Sequence, residues 1–149
     1  MGYALNNVYP VLRYRDAHTA IQFLCDAFGF ERHAVYESDD GTVEHAQLAH
    51  GSGMVMLSTE RENDELGFGP HAGQAWIYIV VEDPDAHHDR AKAAGATIIR
   101  ELEDQDYGSR EYSARDPEGN IWSFGTYDPA AASAGAPEEE EEEASSASS

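Results

Sequence analysis

Arg115–Gly125, RDPEGNIWSFG, joins a tight turn to an apolar run. Pro117 fixes its own φ and Gly119 tolerates a left-handed backbone, so Asp116–Gly119 reads as a turn between two strands. In the strand behind it, Asn120 to Thr126, Trp122 and Phe124 fall on one face and Ser123 on the other. Trp122 and Phe124 are expected in the core, under a helix.

Upstream, WIYIVV (Trp76–Val81) is a strand, and Asp83-Pro84 is a helix N-cap followed by proline at the first helical position. The helix carries Ala86, Ala91 and Ala94 and ends at Gly95. Thr97 to Leu102 and Ser109 to Ala114 are strands. The same order stands earlier in the chain. VYPVLRY (Val8–Tyr14) is a strand, and Asp16 caps a helix in which Ile21, Leu24, Cys25 and Phe28 recur at helical spacing before Gly29. Glu31 to Glu37, Val43 to His50 and Met54 to Ser58 are strands separated by SDDG and GSG turns. Gly29 and Gly95 are 66 residues apart, and so are Gly53 and Gly119. The chain is a βαβββ unit written twice.

Each unit can bury one sheet face under its helix, leaving the other free to curl around a hollow. Alternation sends Ile77, Ile79 and Val81 toward the helix and Trp76, Tyr78 and Val80 toward the hollow. It likewise sends Leu12 and Tyr14 to the core, and Tyr9, Val11 and Arg13 to the hollow. The expected class is α+β, two βαβββ modules at about 7–60 and 74–128 forming curved mixed sheets around a central cavity within a domain spanning 1–129.

The remainder, 130–149, holds six consecutive Glu among Ala and Ser and has nothing bulky and apolar to bury. It is expected to be a disordered, solvated tail. Removing those six Glu from the net charge of −20 still leaves −14. So acidic a body is a poor partner for a phosphate backbone, and it favours solubility or cationic ligands. One cysteine, Cys25, excludes an internal disulfide and suits a reducing compartment, so a cytoplasmic protein is expected. Its place on the apolar stripe reads as a small buried hydrophobe. No stretch approaches the ~20 apolar residues that span a bilayer, and no nucleotide-binding glycine pattern occurs.

The doubled βαβββ pattern, with VYPVL, AWIYIVVEDPDAHH and above all GSREYSARDPEGN in this order, resembles the vicinal oxygen chelate superfamily of glyoxalase I, extradiol dioxygenases and bleomycin resistance proteins. The resemblance runs from Asn7 to Asp128 and is closest to the bleomycin resistance branch. It implies a homodimer with binding crevices between subunits. It also implies, for the metal-dependent members, an ion held by His and Glu from the first, fourth, fifth and eighth strands. Those places fall here at Tyr9, Met56, Trp76 and Ser123. A phenol, a thioether, an indole and a hydroxyl cannot replace imidazole and carboxylate donors, and a one-residue shift on any of these strands brings in no His, Asp or Glu. No metal or other cofactor is expected.

Trp76, Tyr78, Tyr9, Met54 and Met56 form a polarisable apolar group suited to stacking a flat ligand. They could equally fill the hollow or a dimer contact. His45 and Gln47 share a strand face that points either into the hollow or into water. Arg110 and Tyr112 share another, where Arg110 either binds a ligand anion or makes a structural ion pair, with Asp116 among the partners considered. His87 and His88, adjacent on the second helix, are expected on its solvated face, and His18, His33, His50 and His71 at the surface. Tyr107–Ser109 is expected as a loop at the rim.

The expected ligand site is therefore Tyr9, His45, Gln47, Met54, Met56, Trp76, Tyr78, Arg110, Tyr112 and Ser123. Its expected function is metal-free binding of a small aromatic, cationic compound such as an antibiotic. The competing reading is a glyoxalase-like lyase, isomerase or dioxygenase-type enzyme that uses His45 with Arg110 or Tyr112, or an ion bound at an unrecognised place.

Overall fold

The computed structural model describes residues 7–61 and 75–131. His71 and the acidic tail from residue 132 lie outside them. The elements run β1 (Val11–Tyr14), α1 (Ala17–Phe28), β2 (Glu31–Glu37), β3 (Val43–His50), β4 (Gly53–Thr59), β5 (Trp76–Val80), α2 (Pro84–Ala93), β6 (Thr97–Asp104), β7 (Arg110–Arg115) and β8 (Ile121–Gly125). They form two four-stranded mixed sheets of matching order, β1-β4-β3-β2 and β5-β8-β7-β6. The opening strand is shorter than expected, because parallel pairing with β4 begins only at Val11 opposite Met56.

Helix α1 starts where Asp16 accepts hydrogen bonds from the Thr19 N–H and hydroxyl, at 3.1 and 2.8 Å. It stops at Gly29, whose φ of 85° is a conformation that glycine adopts without strain. Its apolar stripe buries Ala17, Ala20, Ile21, Leu24, Ala27 and Phe28. Helix α2 is capped by Asp83 in the same way, but it buries only Pro84, His88 and Ala91. So thin a stripe cannot cover a sheet, and the end of α1 does part of that work. The Phe28 ring lies 4.8 Å from Phe124 and 5.8 Å from Trp122, and Phe30 lies 5.5 Å from Trp122. Both sheets thus put their inner faces, with Leu12, Tyr14, Leu57, Tyr112 and Trp122, into one core.

The Asp116–Asn120 turn bolts the modules together. Asp116 is buried and its carboxylate accepts from the Tyr14 hydroxyl (2.6 Å), Trp122 Nε1 (3.1 Å), Asn120 Nδ2 (3.2 Å) and the N–H groups of Glu118 and Asn120. Burial and the adjacent Asp116 drive the Tyr14 phenol far above its ordinary pKa, so it donates at every accessible pH. Glu118 reaches the other module, where its carboxylate accepts the N–H groups of Arg15 and Asp16 at 2.7 and 2.8 Å, just ahead of α1. The turn holds the two modules together.

Three histidines depart from the expectation of a surface position. His50 and His87 are half-buried, and each ring's Nε2 donates to the Phe28 carbonyl, at 3.1 and 2.8 Å. A carbonyl only accepts, so Nε2 carries the proton and His87 Nδ1 is left to accept from the Tyr112 hydroxyl at 2.6 Å. Arg90 donates to the Asp26 and Cys25 carbonyls. The open C-terminal carbonyls of α1 attract these donors, a demand that periodicity alone does not reveal. Burial lowers the pKa of both histidines. His88 is buried and bridges to Glu101 at 2.9 Å.

Candidate functional site

Because the helix-covered faces meet in one core, the two uncovered faces lie on its outer sides. They carry exposed apolar groups: Tyr9, Val11 and Tyr36 on the first module, Trp76 and Val80 on the second. All the expected site residues but Arg110 and Tyr112 divide between them.

On the first module, Met54 and Met56 on β4 alternate with buried Val55 and Leu57, and His45 and Gln47 on β3 alternate with buried Ala46 and Leu48. The Gln47 amide lies 3.1 Å from His45 Nε2, and the His45 ring stacks on Tyr36 with centroids 6.0 Å apart.

On the second module, Trp76 is 75 % exposed, yet its indole N–H donates to Ser123 Oγ at 2.9 Å. Ser123 Oγ lies 2.7 Å from Ser113 Oγ. The ring is held by its edge with a face left open. Tyr78 donates to the Tyr127 carbonyl at 2.6 Å. Trp76, Tyr78, Ser123 and Tyr127 border a cavity of about 560 Å³ that is completed by Arg100, Tyr107, Glu111 and Pro129. Glu111 accepts hydrogen bonds from Arg100 at 3.1 Å and Tyr107 at 3.0 Å. Burial and the interaction with Glu111 raise the phenol pKa values of Tyr78 and Tyr107. Gly125 leaves room for this arrangement, since a Cβ there would lie 2.5 Å from Glu111 Cγ and 2.8 Å from the Tyr78 hydroxyl.

Arg110 and Tyr112 join neither face. Alternation along β7 turns them toward the helices. Tyr112 is fully buried against His87, and Arg110 pairs with Asp85 and Asp104 at 2.7 and 3.2 Å. The ion pair expected of Arg110 is present, with these partners rather than Asp116. His45 and Arg110 stand on different sheets and different sides, so they cannot act on one substrate within a chain. The same alternation brings Glu111 and Ser113 outward. Glu111 was legible once Tyr112 was assigned to the core; Arg100 and Tyr127 had no comparable signal. Tyr107 lies in the rim loop as expected.

A second cleft, about 750 Å³, lies between the modules and is bordered by Met54, His50, His87, Arg90 and the Ile77–Val81 edge of β5. His87 and Arg90 are already engaged in capping α1, and so is His50 through Nε2.

Among the described residues no three His, Cys, Asp or Glu side chains gather as metal ligands. The four places where the resemblance puts them do not fit an ion. Trp76 and Ser123 are hydrogen-bonded to each other, and an indole N–H has no lone pair to offer.

This fold, with its paired modules and open sheet faces, is that of a known class. The chain belongs to the Glyoxalase/Bleomycin resistance protein/Dioxygenase superfamily, whose family model matches residues 7–124. An uncharacterized Mycobacterium bovis protein is 34% identical over 125 residues, covering 78% of this chain and 80% of its own. TioX from Micromonospora sp. ML1 superposes with a TM-score of 0.68 at 34% identity, over 80% of this chain and 94% of TioX. The bleomycin-binding protein of Streptomyces verticillus, solved with copper(II)-bleomycin, shares the fold with a TM-score of 0.60 at 24% identity, over 85% of this chain and all of that one. Among the described residues no helix is long and apolar enough to cross a membrane.

Proposed function

We propose that this protein is a metal-free binder that sequesters a small aromatic compound, of the kind represented by antibiotics, on the outer face of its second module. The observation that carries this reading is Trp76: a large ring, three-quarters exposed, whose N–H is already satisfied and whose face has no partner ring among the described residues. A flat ligand laid on it gains area burial and roughly 0.5–1.5 kcal/mol more from ring stacking. The acidic body would favour a ligand with positive charge elsewhere on its frame. The bleomycin complex of the Streptomyces verticillus protein supports small-molecule binding by this fold.

The reading includes a homodimer, cytoplasmic in location. The exposed apolar residues on the two outer faces would be covered if the first-module face of one subunit met the second-module face of its partner, enclosing Tyr9, Met56, Trp76 and Tyr78 in one crevice. Sedimentation should give twice the chain mass of 16.3 kDa. A monomer at micromolar concentration would remove this part of the proposal.

The binding test is a fluorescence titration with metal-free bleomycin and a panel of aromatic antibiotics. At least one compound should quench the wild type, and the response should vanish in Trp76→Ala. Quenching that survives in the variant, or no response across the panel, would sink the reading.

A further inference from the structure

The cavity beside Trp76 offers more than ring faces. Glu111 at its floor is 5 % exposed, and among the described residues both hydrogen bonds to its carboxylate, from Arg100 Nη2 and the Tyr107 hydroxyl, fall on Oε1. Oε2 accepts none. Arg100 uses one of its five N–H donors on that carboxylate and borders the same cavity. The lining residues therefore carry one positive and one negative charge, already paired. Although the chain as a whole stands at −20, the charges of the residues that line this cavity balance.

What remains on offer is directional. A carboxylate oxygen that no described residue engages belongs to the same ion pair as a guanidinium with unused N–H groups, in a cavity also lined by Trp76, Tyr78 and Tyr107. An acceptor and a donor held close together match a planar edge with the opposite order.

We propose that this cavity selects an uncharged, flat heteroaromatic group bearing an N–H next to a carbonyl, as in a lactam or a ring carboxamide. The N–H bonds Glu111 Oε2 and the carbonyl bonds Arg100. This rests on the stacking reading above and narrows it: any positive charge on the ligand is left to the acidic surface outside. Buried hydrogen-bonding groups reject an analogue that leaves them unpaired more strongly than apolar walls reject an extra methyl.

The test uses 2-quinolone, its N-methyl derivative and the N-methylquinolinium cation, titrated into the full chain by NMR. The indole N–H of Trp76 reports the site, and that of buried Trp122 serves as the internal control. The lactam should bind at least tenfold more tightly than N-methyl-2-quinolone. Glu111→Gln should erase that gap, because its carbonyl stays with Arg100 and Tyr107 and its NH₂ replaces the free acceptor with a donor. Arg100→Gln, a change at a half-exposed residue, should weaken the lactam several-fold in a protein that still folds. Equal affinity for lactam and N-methyl lactam would overturn the edge while leaving stacking intact. Tighter binding of the cation would overturn the charge argument. If none of the three moves the Trp76 resonance, the stacking reading falls as well.

Discussion

The two βαβββ units pair their strands in the same order, yet matching places hold different chemistry. Leu12 pairs with Leu57 in the first sheet as Ile79 pairs with Phe124 in the second. Tyr9 therefore corresponds to Trp76, Met56 to Ser123 and Ser58 to Gly125. On the third strands, the Glu31–Ala49 and Thr97–Arg115 pairings align His45 with Glu111 and Gln47 with Ser113. Between the equivalent pairs Arg115–Ile121 and Ala49–Met54 the second module has one residue more, so the 66-residue repeat slips by one there.

That longer turn is the one whose carboxylates lock the modules together. The first module supplies a strongly apolar helix whose end also covers its neighbour's sheet. The second supplies the polar lock and the preformed cavity. Similar backbones can thus be specialised by a few side chains, one unit toward packing and the other toward a polar lock and a cavity.

The largest expected effect tests whether the second module is indeed the lock. Asp116→Ala strands the buried Tyr14 hydroxyl and Trp122 N–H and should cost about 3 kcal/mol or more in urea unfolding, with one transition. Two separate transitions would show modules that stand alone.

Next comes the contrast between Gly125 and its counterpart Ser58. Gly125→Ala should cost about 1–3 kcal/mol and abolish quenching, because the new methyl strikes Glu111 and Tyr78. Ser58→Ala should stay within about 0.5 kcal/mol. Equal effects would erase the asymmetry.

Glu118→Ala tests the reach of the second module into the first. It should lower stability by about 1 kcal/mol and fray the start of α1, detectable as faster amide exchange at Arg15 and Asp16.

The smallest effect concerns the histidine junction. His50 and His87 have folded-state pKa values below the ordinary 6.5, so on acidification the unfolded chain takes up protons first. Their contribution is present at and above pH 6.5 and is lost as pH falls below it. Urea midpoints at pH 7.5 and 5.5 should differ accordingly, and less so in His50→Gln/His87→Gln. A midpoint that rises on acidification would contradict the assigned protonation.

Much of this was readable in the chain. Alternation and the repeated glycines carry the two modules, the inward course of Leu12, Tyr14, Ile77 and Trp122, and the placing of Trp76 and Tyr78 on the face away from the helix, which the sequence pattern turns toward a central hollow and the structure turns to the outside. Residue type alone says that Tyr9, Met56, Trp76 and Ser123 offer no imidazole or carboxylate donor, since no fold makes an indole or a thioether into a carboxylate. Local pattern assigns a side chain to one face or the other, because strand and helix periods are properties of the backbone.

Tertiary structure decided which face of β7 is the inner one, and with it that Arg110 and Tyr112 turn away from the outer face that carries Trp76 while Glu111 joins it. It also decided that His50, His87 and Arg90 close a helix end and that Asp116 serves Tyr14 across 102 residues of chain. A buried polar group must find a partner wherever the fold brings one, and sequence distance says nothing of who that partner will be.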